Sequence, residues 1–324
     1  MSRISIYVNK KASNSHDKFL KGLKNHLFRH ETTIKQPKSI EELHEELGED
    51  LRKDVEYIFA IGGDGTINTI LQKIANTSIN LLIIPAGAAN DLATEVGMDH
   101  TIKKIMKVFQ HKTYSQIDLI RVNGRYMATN GGVGSAADVA LKINLYRKNY
   151  VGFLNVMKSM GANIYPLVFT KEMAFTKMKR YHLRLESPDL PLPNPVIKAP
   201  IVLINNQSVL GGKFNLAPDT KNNDGKFNVT ILKHKTKAAL INCSFNLLIG
   251  KFPGNDKDLV SFETDSLKIS NMDNDPISFL GDGEILCQER SFEVKACPQA
   301  LRIFMYTEDS DYYSSHNLEE ISLL

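Results

Sequence analysis

Two glycine-rich turns and a set of strand-end aspartates hold most of the chemistry available to this chain. Gly62-Gly63-Asp64-Gly65-Thr66-Ile67-Asn68 follows the apolar run Tyr57-Ile58-Phe59-Ala60-Ile61 and leads into a helical-looking stretch, Thr66 to Leu71. Glycine lets backbone N–H groups approach phosphate oxygens with no Cβ in the way, and a helix N-terminus adds positive partial charge. The heptapeptide therefore reads as a nucleotide phosphate turn. Gly62, Gly63, Asp64, Gly65, Thr66 and Asn68 are its candidate contacts. The spacing is neither the G-x-x-x-x-G-K-[ST] loop nor the G-x-G-x-x-G dinucleotide turn. A purely structural strand-to-helix turn is the alternative. A second such turn, Pro85-Ala86-Gly87-Ala88-Ala89-Asn90-Asp91, follows Leu81-Leu82-Ile83-Ile84.

Phosphoryl transfer needs phosphates held in place, their charge neutralised, and a base for the attacking hydroxyl. Asp64, Asp91 and Asp118 each stand just past or at the edge of an apolar strand. Three carboxylates so placed could converge on one Mg²⁺, a cation that takes oxygen ligands and keeps several waters. Taken alone, Asp118 is a strand-end aspartate making a local turn. Asp282, in Gly281-Asp282-Gly283-Glu284, is the candidate general base, with Glu284 two residues further on. Paired carboxylates in a partly dry site suit a group that must accept a proton. A Gly-Asp-Gly hairpin turn is the competing reading.

The elements that must position these groups fall into two textures. Over the first ~120 residues, strands at Ile4 to Val8, Tyr57 to Ile61 and Leu81 to Pro85 alternate with helices. The helices are Ser15 to Arg29 (Phe19, Leu20, Leu23 and Leu27 on one face), Ile40 to Leu51, Thr66 to Ala75 and Thr101 to Phe109. Such alternation predicts a doubly wound α/β domain whose ligands sit beyond the carboxyl ends of the strands, where Gly62 and Gly87 fall. After Asp118 short strands dominate: Tyr181 to Leu185, Ile201 to Asn205, Phe227 to Leu232, Ser266 to Ile269, Ile277 to Leu280, Phe292 to Lys295 and Leu301 to Tyr306. Asn123-Gly124 is a hairpin signal, and the whole predicts an all-β sandwich. One long helix is expected over Lys142 to Phe169, with Tyr146, Tyr150, Phe153, Leu154, Met157 and Met160 along one stripe. The division expected is 1–120 for the nucleotide domain, 121–306 for the sandwich, and a tail, 307–324, packing back on the first domain.

Hydrophobic residues are 42% and charged residues 23% of the 324, as in an ordinary globular protein of two domains. No apolar stretch reaches the ~20 residues of a membrane-spanning helix, and residues 1 to 10 read as a strand rather than a signal peptide. The expectation is a cytoplasmic protein that meets lipid only at a membrane surface. Net charge is +4, with lysines gathered at Lys103, Lys104, Lys107 and Lys112, at Lys177, Lys179 and Arg180, and at Lys233, Lys235 and Lys237. No aromatic-basic motif points to nucleic acid. Cys243, Cys287 and Cys297 lack zinc-ligand spacing and are expected as free thiols.

The GGDGT turn, the Asn90-Asp91 loop, Asp118, Asn130-Gly131-Gly132-Val133-Gly134, Gly211-Gly212-Lys213, Asp224-Gly225 and the closing Gly281 to Glu284 occur in that order. The set resembles the diacylglycerol kinase catalytic family, which also includes sphingosine kinases and bacterial lipid kinases, over roughly residues 3 to 306. The resemblance implies the same two-domain plan with its active site in the inter-domain cleft. It implies ATP-dependent transfer to a lipid hydroxyl, with diacylglycerol first and sphingoid bases, monoacylglycerol or phosphatidylglycerol as rivals. It further implies nucleotide contacts at Asn9, Gly87 and Asn90, an Asp–water–Mg²⁺ network at Asp64, Asp91 and Asp118, and Asp282 as base beside Glu284. A second, structural Mg²⁺ is implied at Asp219 and Asp224, and a homodimer is left open. The chain departs from the family at Asn223, where an acid is usual, and at Ala88, where threonine is usual. Val8-Asn9-Lys10-Lys11-Ala12-Ser13 stands in place of Asn-Pro-x-x-Gly. Ala88 and this altered loop keep open a catalytically weak lipid- or nucleotide-binding regulatory protein of the same fold. GGDGT alone is shared with NAD kinases, but the DGE and Asn-Asp stretches are not.

Overall fold

The computed structural model describes residues 2–10, 16–87, 89–98, 101–150, 152, 167–168, 171, 177–210, 214–215, 217, 219–249, 251 and 256–306. They form two units, Met1–Ile117 with Ala300–Leu324, and Asp118–Gln299.

The first unit runs β1 (Arg3–Val8), α1 (His16–Leu27), β2 (Glu31–Lys35), α2 (Ile40–Arg52), β3 (Tyr57–Gly62), α3 (Asp64–Ile74), β4 (Asn80–Pro85), α4 (Asp91–Glu95) and α5 (Ile102–Gln110). Its strands lie parallel in the order β2-β1-β3-β4. Every residue of β3 is buried, the pattern of a central parallel strand covered on both faces. The polar β2 is an exposed edge that apolar periodicity does not reveal. A buried side-chain group ties it down: Lys35 Nζ lies 2.7 Å from Asp50 Oδ1, and the Tyr7 hydroxyl donates to Asp50 Oδ2 at 2.6 Å. Phe109 of α5 packs edge-on to Tyr57 and Phe59.

The second unit opens with β5 (Tyr114–Val122), which carries the chain out of the first. It continues through β6 (Arg125–Met127), β7 (Asn130–Gly134), α6 (Ser135–Asn149), β8 (Tyr181–Glu186), β9 (Val196–Ala199), β10 (Ile201–Asn205), β11 (Val209–Leu210), β12 (Phe214–Asn215) and β13 (Phe227–Leu232). Then come α7 (Lys237–Leu248), β14 (Leu259–Thr264), β15 (Ser266–Asn271), β16 (Ile277–Gly281), β17 (Glu284–Glu289) and β18 (Ser291–Phe304). One antiparallel sheet has the order β14-β13-β10-β7-β16-β17, and the start of β18 pairs with β15, β15 with β8, and β8 with β9. Val202, Ile204, Val229 and Phe279 from the first layer meet Leu183, Leu185, Ile269 and Phe292 from the second in one apolar core. This is the expected sandwich. Asn123-Gly124, both at positive φ, closes the β5–β6 hairpin as anticipated.

The division differs from expectation at the end of the chain. β18 is one 14-residue strand, and its last residues add parallel to β4 (Arg302 opposite Asn80, Ile303 opposite Leu81). Ala300 to Tyr306 therefore belong to the first unit and not to the sandwich. An unbroken strand gives no compositional break at which to cut. The expected long helix begins earlier, at Ser135, and α6 ends at Asn149. Phe153, Leu154, Met157 and Met160 lie outside the described residues, as do Gly211 to Lys213 and the tail. Strand β7 was not legible as a strand because it is mostly glycine. A Cβ at Gly131 would stand 2.2 Å from the Leu280 carbonyl oxygen and one at Gly132 2.1 Å from that of Val202, so both neighbours close in to where only hydrogen fits.

Candidate active site

In the N-terminal unit β3 passes into α3 through Gly63, an extended N-cap with no side chain capping the helix. The amides of Thr66 and Ile67 return to the Gly63 carbonyl at 2.9 and 3.1 Å. Those of Asp64 and Gly65 precede the first helical acceptor, and such amides attract anions. Asn9, just past β1, donates from Nδ2 to Thr66 Oγ1 at 2.8 Å, so these two candidate contacts share one spot.

Asp64 points at the second turn. Its Oδ2 accepts the Asn90 amide at 2.9 Å and its Oδ1 the Asp91 amide at 2.8 Å, which caps α4. Asn90 sits in left-handed backbone and grips Gly87 twice: Oδ1 accepts the Gly87 amide at 2.8 Å, and Nδ2 donates to its carbonyl at 3.0 Å. The two turns touch backbone to backbone. A Cβ on Gly63 would lie 2.8 Å from Gly87 Cα, and one on Gly87 would lie 2.5 Å from Gly63 Cα. Glycine is required at both positions by this contact, before any phosphate is considered. Asn68 is buried one turn into α3, with its Oδ1 accepting from Gln72 at 3.3 Å. Ala88 lies outside the described residues.

In the C-terminal unit Asp118 is fully buried, and both its oxygens take backbone amides, Gly225 at 2.6 Å and Gln299 at 2.7 Å. Its own amide donates to the Asn222 carbonyl at 2.6 Å. In the geometry described, its work is to hold the 222–225 loop. Asp219 and Asp224, the candidate ligands of a structural Mg²⁺, are exposed. Asp224 Oδ1 accepts the Lys226 amide at 3.0 Å, an Asx turn. Among the described residues, Asp118, Asp219 and Asp224 do not bring carboxylate oxygens together as a metal-holding group.

Asp282 and Gly283 (φ 52° and 76°) form the two-residue turn between β16 and β17, with Gly281 opposite Glu284. The backbone is thus the hairpin that the Gly-Asp-Gly sequence suggested. The side chain does more than a turn requires. It is 8% exposed and folds back onto the corner between β6 and β7. There Oδ1 accepts the Thr129 amide and the Thr129 hydroxyl, both at 2.8 Å, and each oxygen lies 3.1 Å from the Ala128 amide. Glu284 opens β17 and faces α6, where Asn144 Nδ2 lies 3.4 Å from its Oε2.

A profile of the diacylglycerol kinase catalytic domain matches residues 3–122, and one of the YegS C-terminal NAD kinase beta sandwich-like domain matches 153–305. The chain thus carries a diacylglycerol kinase catalytic domain followed by a YegS-like C-terminal domain. The diacylglycerol kinase of Bacillus subtilis is 26% identical over 67% of this chain and 68% of its own length. An uncharacterized Synechocystis protein is 25% identical over 78% of this chain, which spans only 56% of that relative. A crystal structure of a diacylglycerol kinase from Bacillus anthracis superposes with TM-score 0.68 at 17% identity, covering 94% of this chain and 97% of that one, a likeness of fold.

Within this lipid-kinase fold, Asn206 is the residue that sequence reasoning missed. Fully buried beyond β10, its Nδ2 donates at 2.8 Å to the carbonyls of both Asp118 and Ala128, and its amide to the Thr129 carbonyl at 2.9 Å. One amide side chain thus ties the Asp118 strand to the corner that holds Asp282. The available signal was Asn205-Asn206-Gln207 directly after an apolar strand, since buried amides must find partners. The basic clusters also gain an address. Arg180 donates to the Lys198 carbonyl at 2.7 Å and lies 3.5 Å from that of Lys233, so two of the three adjoin. Phe245 and Ile249 are exposed at the end of α7, the helix that follows. No helix among the described residues is long and apolar enough to cross a membrane.

Proposed function

We propose that the chain transfers the γ-phosphoryl group of ATP to a lipid hydroxyl, diacylglycerol being the leading acceptor. The observation that carries this reading is the Asp282 carboxylate, held nearly buried at a hairpin tip by Ala128 and Thr129. A turn needs no such side-chain cradle, whereas a group that takes a proton from an incoming hydroxyl must be fixed in place. Glu284 is its neighbour on the same hairpin. The first amides of α3, with Asn9, Thr66, Gly87 and Asn90, bind and orient the nucleotide phosphates. Asp64 and Asp91 fit Mg²⁺, because they offer only oxygen and lie side by side, the Asp91 amide on Asp64 Oδ1. Bound there, Mg²⁺ would neutralise phosphate charge. The adjoining Arg180 and Lys233 clusters support work at an anionic bilayer surface, on the cytoplasmic side.

A second reading, a catalytically weak binding protein of the same fold, rests on the departures at Ala88 and over Val8 to Ser13. The two are separated by incubating the protein with labelled ATP, Mg²⁺ and a panel of diacylglycerol, monoacylglycerol, sphingoid base and phosphatidylglycerol in mixed micelles. One phosphorylated lipid, lost in Asp282→Asn, supports the kinase. ATP binding with no lipid product across the panel supports the second reading. Neither binding nor product overturns both.

A further inference from the structure

Outside the groups described above, one cluster combines sulfur, nitrogen and oxygen donors. The chain leaves the sheet after β13 through His234, forms α7, and returns through Asp256 to β14. Cys243 lies on the inner face of α7, 2% exposed, in an apolar cluster with Leu240, Leu247, Ile201 and Leu232. One ligand atom from each of His234, Cys243 and Asp256 lies within 4.8 Å of the other two.

His234 supplies an independent observation. It is 3% exposed, and its Nε2 lies 2.8 Å from Asp256 Oδ2. A carboxylate only accepts, so Nε2 carries the proton, and in the neutral ring Nδ1 is left as a bare lone pair. That nitrogen is buried and has no hydrogen-bond partner among the described residues. An orphaned nitrogen on a buried imidazole is costly without a ligand. A Cys–His–Asp nucleophile does not explain the arrangement. Burial and the charge of Asp256 push the Cys243 thiol up to about 11, and its burial leaves no surface for a substrate.

We propose that His234, Cys243 and Asp256 bind a thiophilic divalent cation, zinc in first place, with Asp256 giving up its hydrogen bond from His234 to take the ion, which pins both ends of the α7 excursion to the helix itself. Mixed sulfur, nitrogen and carboxylate donors suit Zn²⁺, whereas Mg²⁺ and Ca²⁺ take oxygen. Bonds of about 2.0–2.3 Å in a tetrahedron space ligand atoms about 3.3–3.8 Å apart, so the cluster closes on an ion by small side-chain movements. Asp256 is partly exposed, which leaves a path for the ion and a position for water.

The test uses the purified full chain, stripped with chelator. Zn²⁺ is titrated against a competing chelator, and Co²⁺ is added separately as a spectroscopic probe. The expected results are one Zn²⁺ per chain, a sulfur-to-cobalt charge-transfer band and a raised Tm. Cys243→Ser should lose the band and weaken Zn²⁺ binding by at least ~100-fold while keeping the Tm of the metal-free protein. His234→Gln gives the same reading should the serine variant fail to fold. Absence of stoichiometric binding overturns the proposal, as does binding that survives both variants, since that would place the ion on Cys287, Cys297 or surface histidines.

Discussion

Replacing Asp64 by asparagine probes the joint between the two glycine turns. From sequence, Asp64 is a glycine-flanked surface residue at which an isostere should cost about 0.5 kcal/mol. The structure raises that figure. Both carboxylate oxygens accept backbone amides, Asn90 at 2.9 Å and Asp91 at 2.8 Å. A hydrogen bond to a charged acceptor contributes about 1.5–3 kcal/mol, and asparagine keeps one oxygen while turning an NH₂ toward the other amide. The net loss should be about 2 kcal/mol, and about twice that for Asp64→Ala. At about 2–4 °C per kcal/mol, Asp64→Asn should lower the unfolding midpoint of the N-terminal unit by about 4–8 °C. Because Asn90 also grips Gly87, hydrogen exchange should accelerate first over Gly87 to Glu95 and leave β3 protected. Scanning calorimetry and exchange mass spectrometry read both effects, and nucleotide titration with and without Mg²⁺ reads the site. A variant with Tm within ~1 °C of wild type and unchanged exchange in that window would refute the joint. If such a variant also kept turnover, Asp64 would leave the proposed Mg²⁺ site as well.

Asp282→Asn should lower lipid turnover by ~10²-fold or more while ATP affinity, measured by equilibrium titration, stays within about 2-fold. Asp118→Ala strands two buried amides and should cost about 3 kcal/mol, against no more than about 0.5 kcal/mol for the exposed Asp219→Ala; comparative urea melts decide this. Burial alone holds the Glu95 carboxyl above its usual range, so the folded state binds that proton more tightly than the unfolded chain. Its favourable contribution is therefore present in acid and lost as pH rises through the raised value. Glu95→Gln should flatten the fall of Tm as pH rises above the ordinary glutamate range and raise Tm at the upper end, and an unchanged slope would remove Glu95 as its source. Lys233→Glu with Lys235→Glu should weaken sedimentation with anionic vesicles and remove its salt dependence, leaving neutral-vesicle binding unchanged.

Where one local pattern determines an element, the sequence was readable. Apolar runs ending in glycine announced β3 and β4, and Asn123-Gly124 announced the β5–β6 turn. Illegible features depended on partners far away in the chain. The polar strand β2 holds its place through Lys35 on Asp50. Glycine-rich β7 is a strand because Leu280 and Val202 close on it from either side. His234, Cys243 and Asp256 carry no ligand spacing, because the excursion of α7 brings them together.

The candidate site was legible in residue type and not in role. Sequence puts Asp64, Asp118 and Asp282 at strand ends, which is what a metal ligand, a base and a loop anchor all look like, whereas β5 in fact runs through Asp118. What separates them is which donors each carboxylate meets. Asp118 is fully buried with a backbone amide on each oxygen, so its placement serves the 222–225 loop. Asp64 also takes two amides but stands half-buried beside Asp91, where carboxylate lone pairs can still serve water around a cation. Asp282 takes the amide and hydroxyl of Thr129 on Oδ1 at 2.8 Å, and the Ala128 amide lies 3.1 Å from Oδ2. Thr129→Val removes the hydroxyl and keeps both amides. If the cradle positions the base, that variant should lower turnover several-fold and leave Tm and ATP affinity nearly unchanged. A turnover equal to wild type would make the Thr129 hydroxyl a passive partner and leave the backbone amides alone to position Asp282.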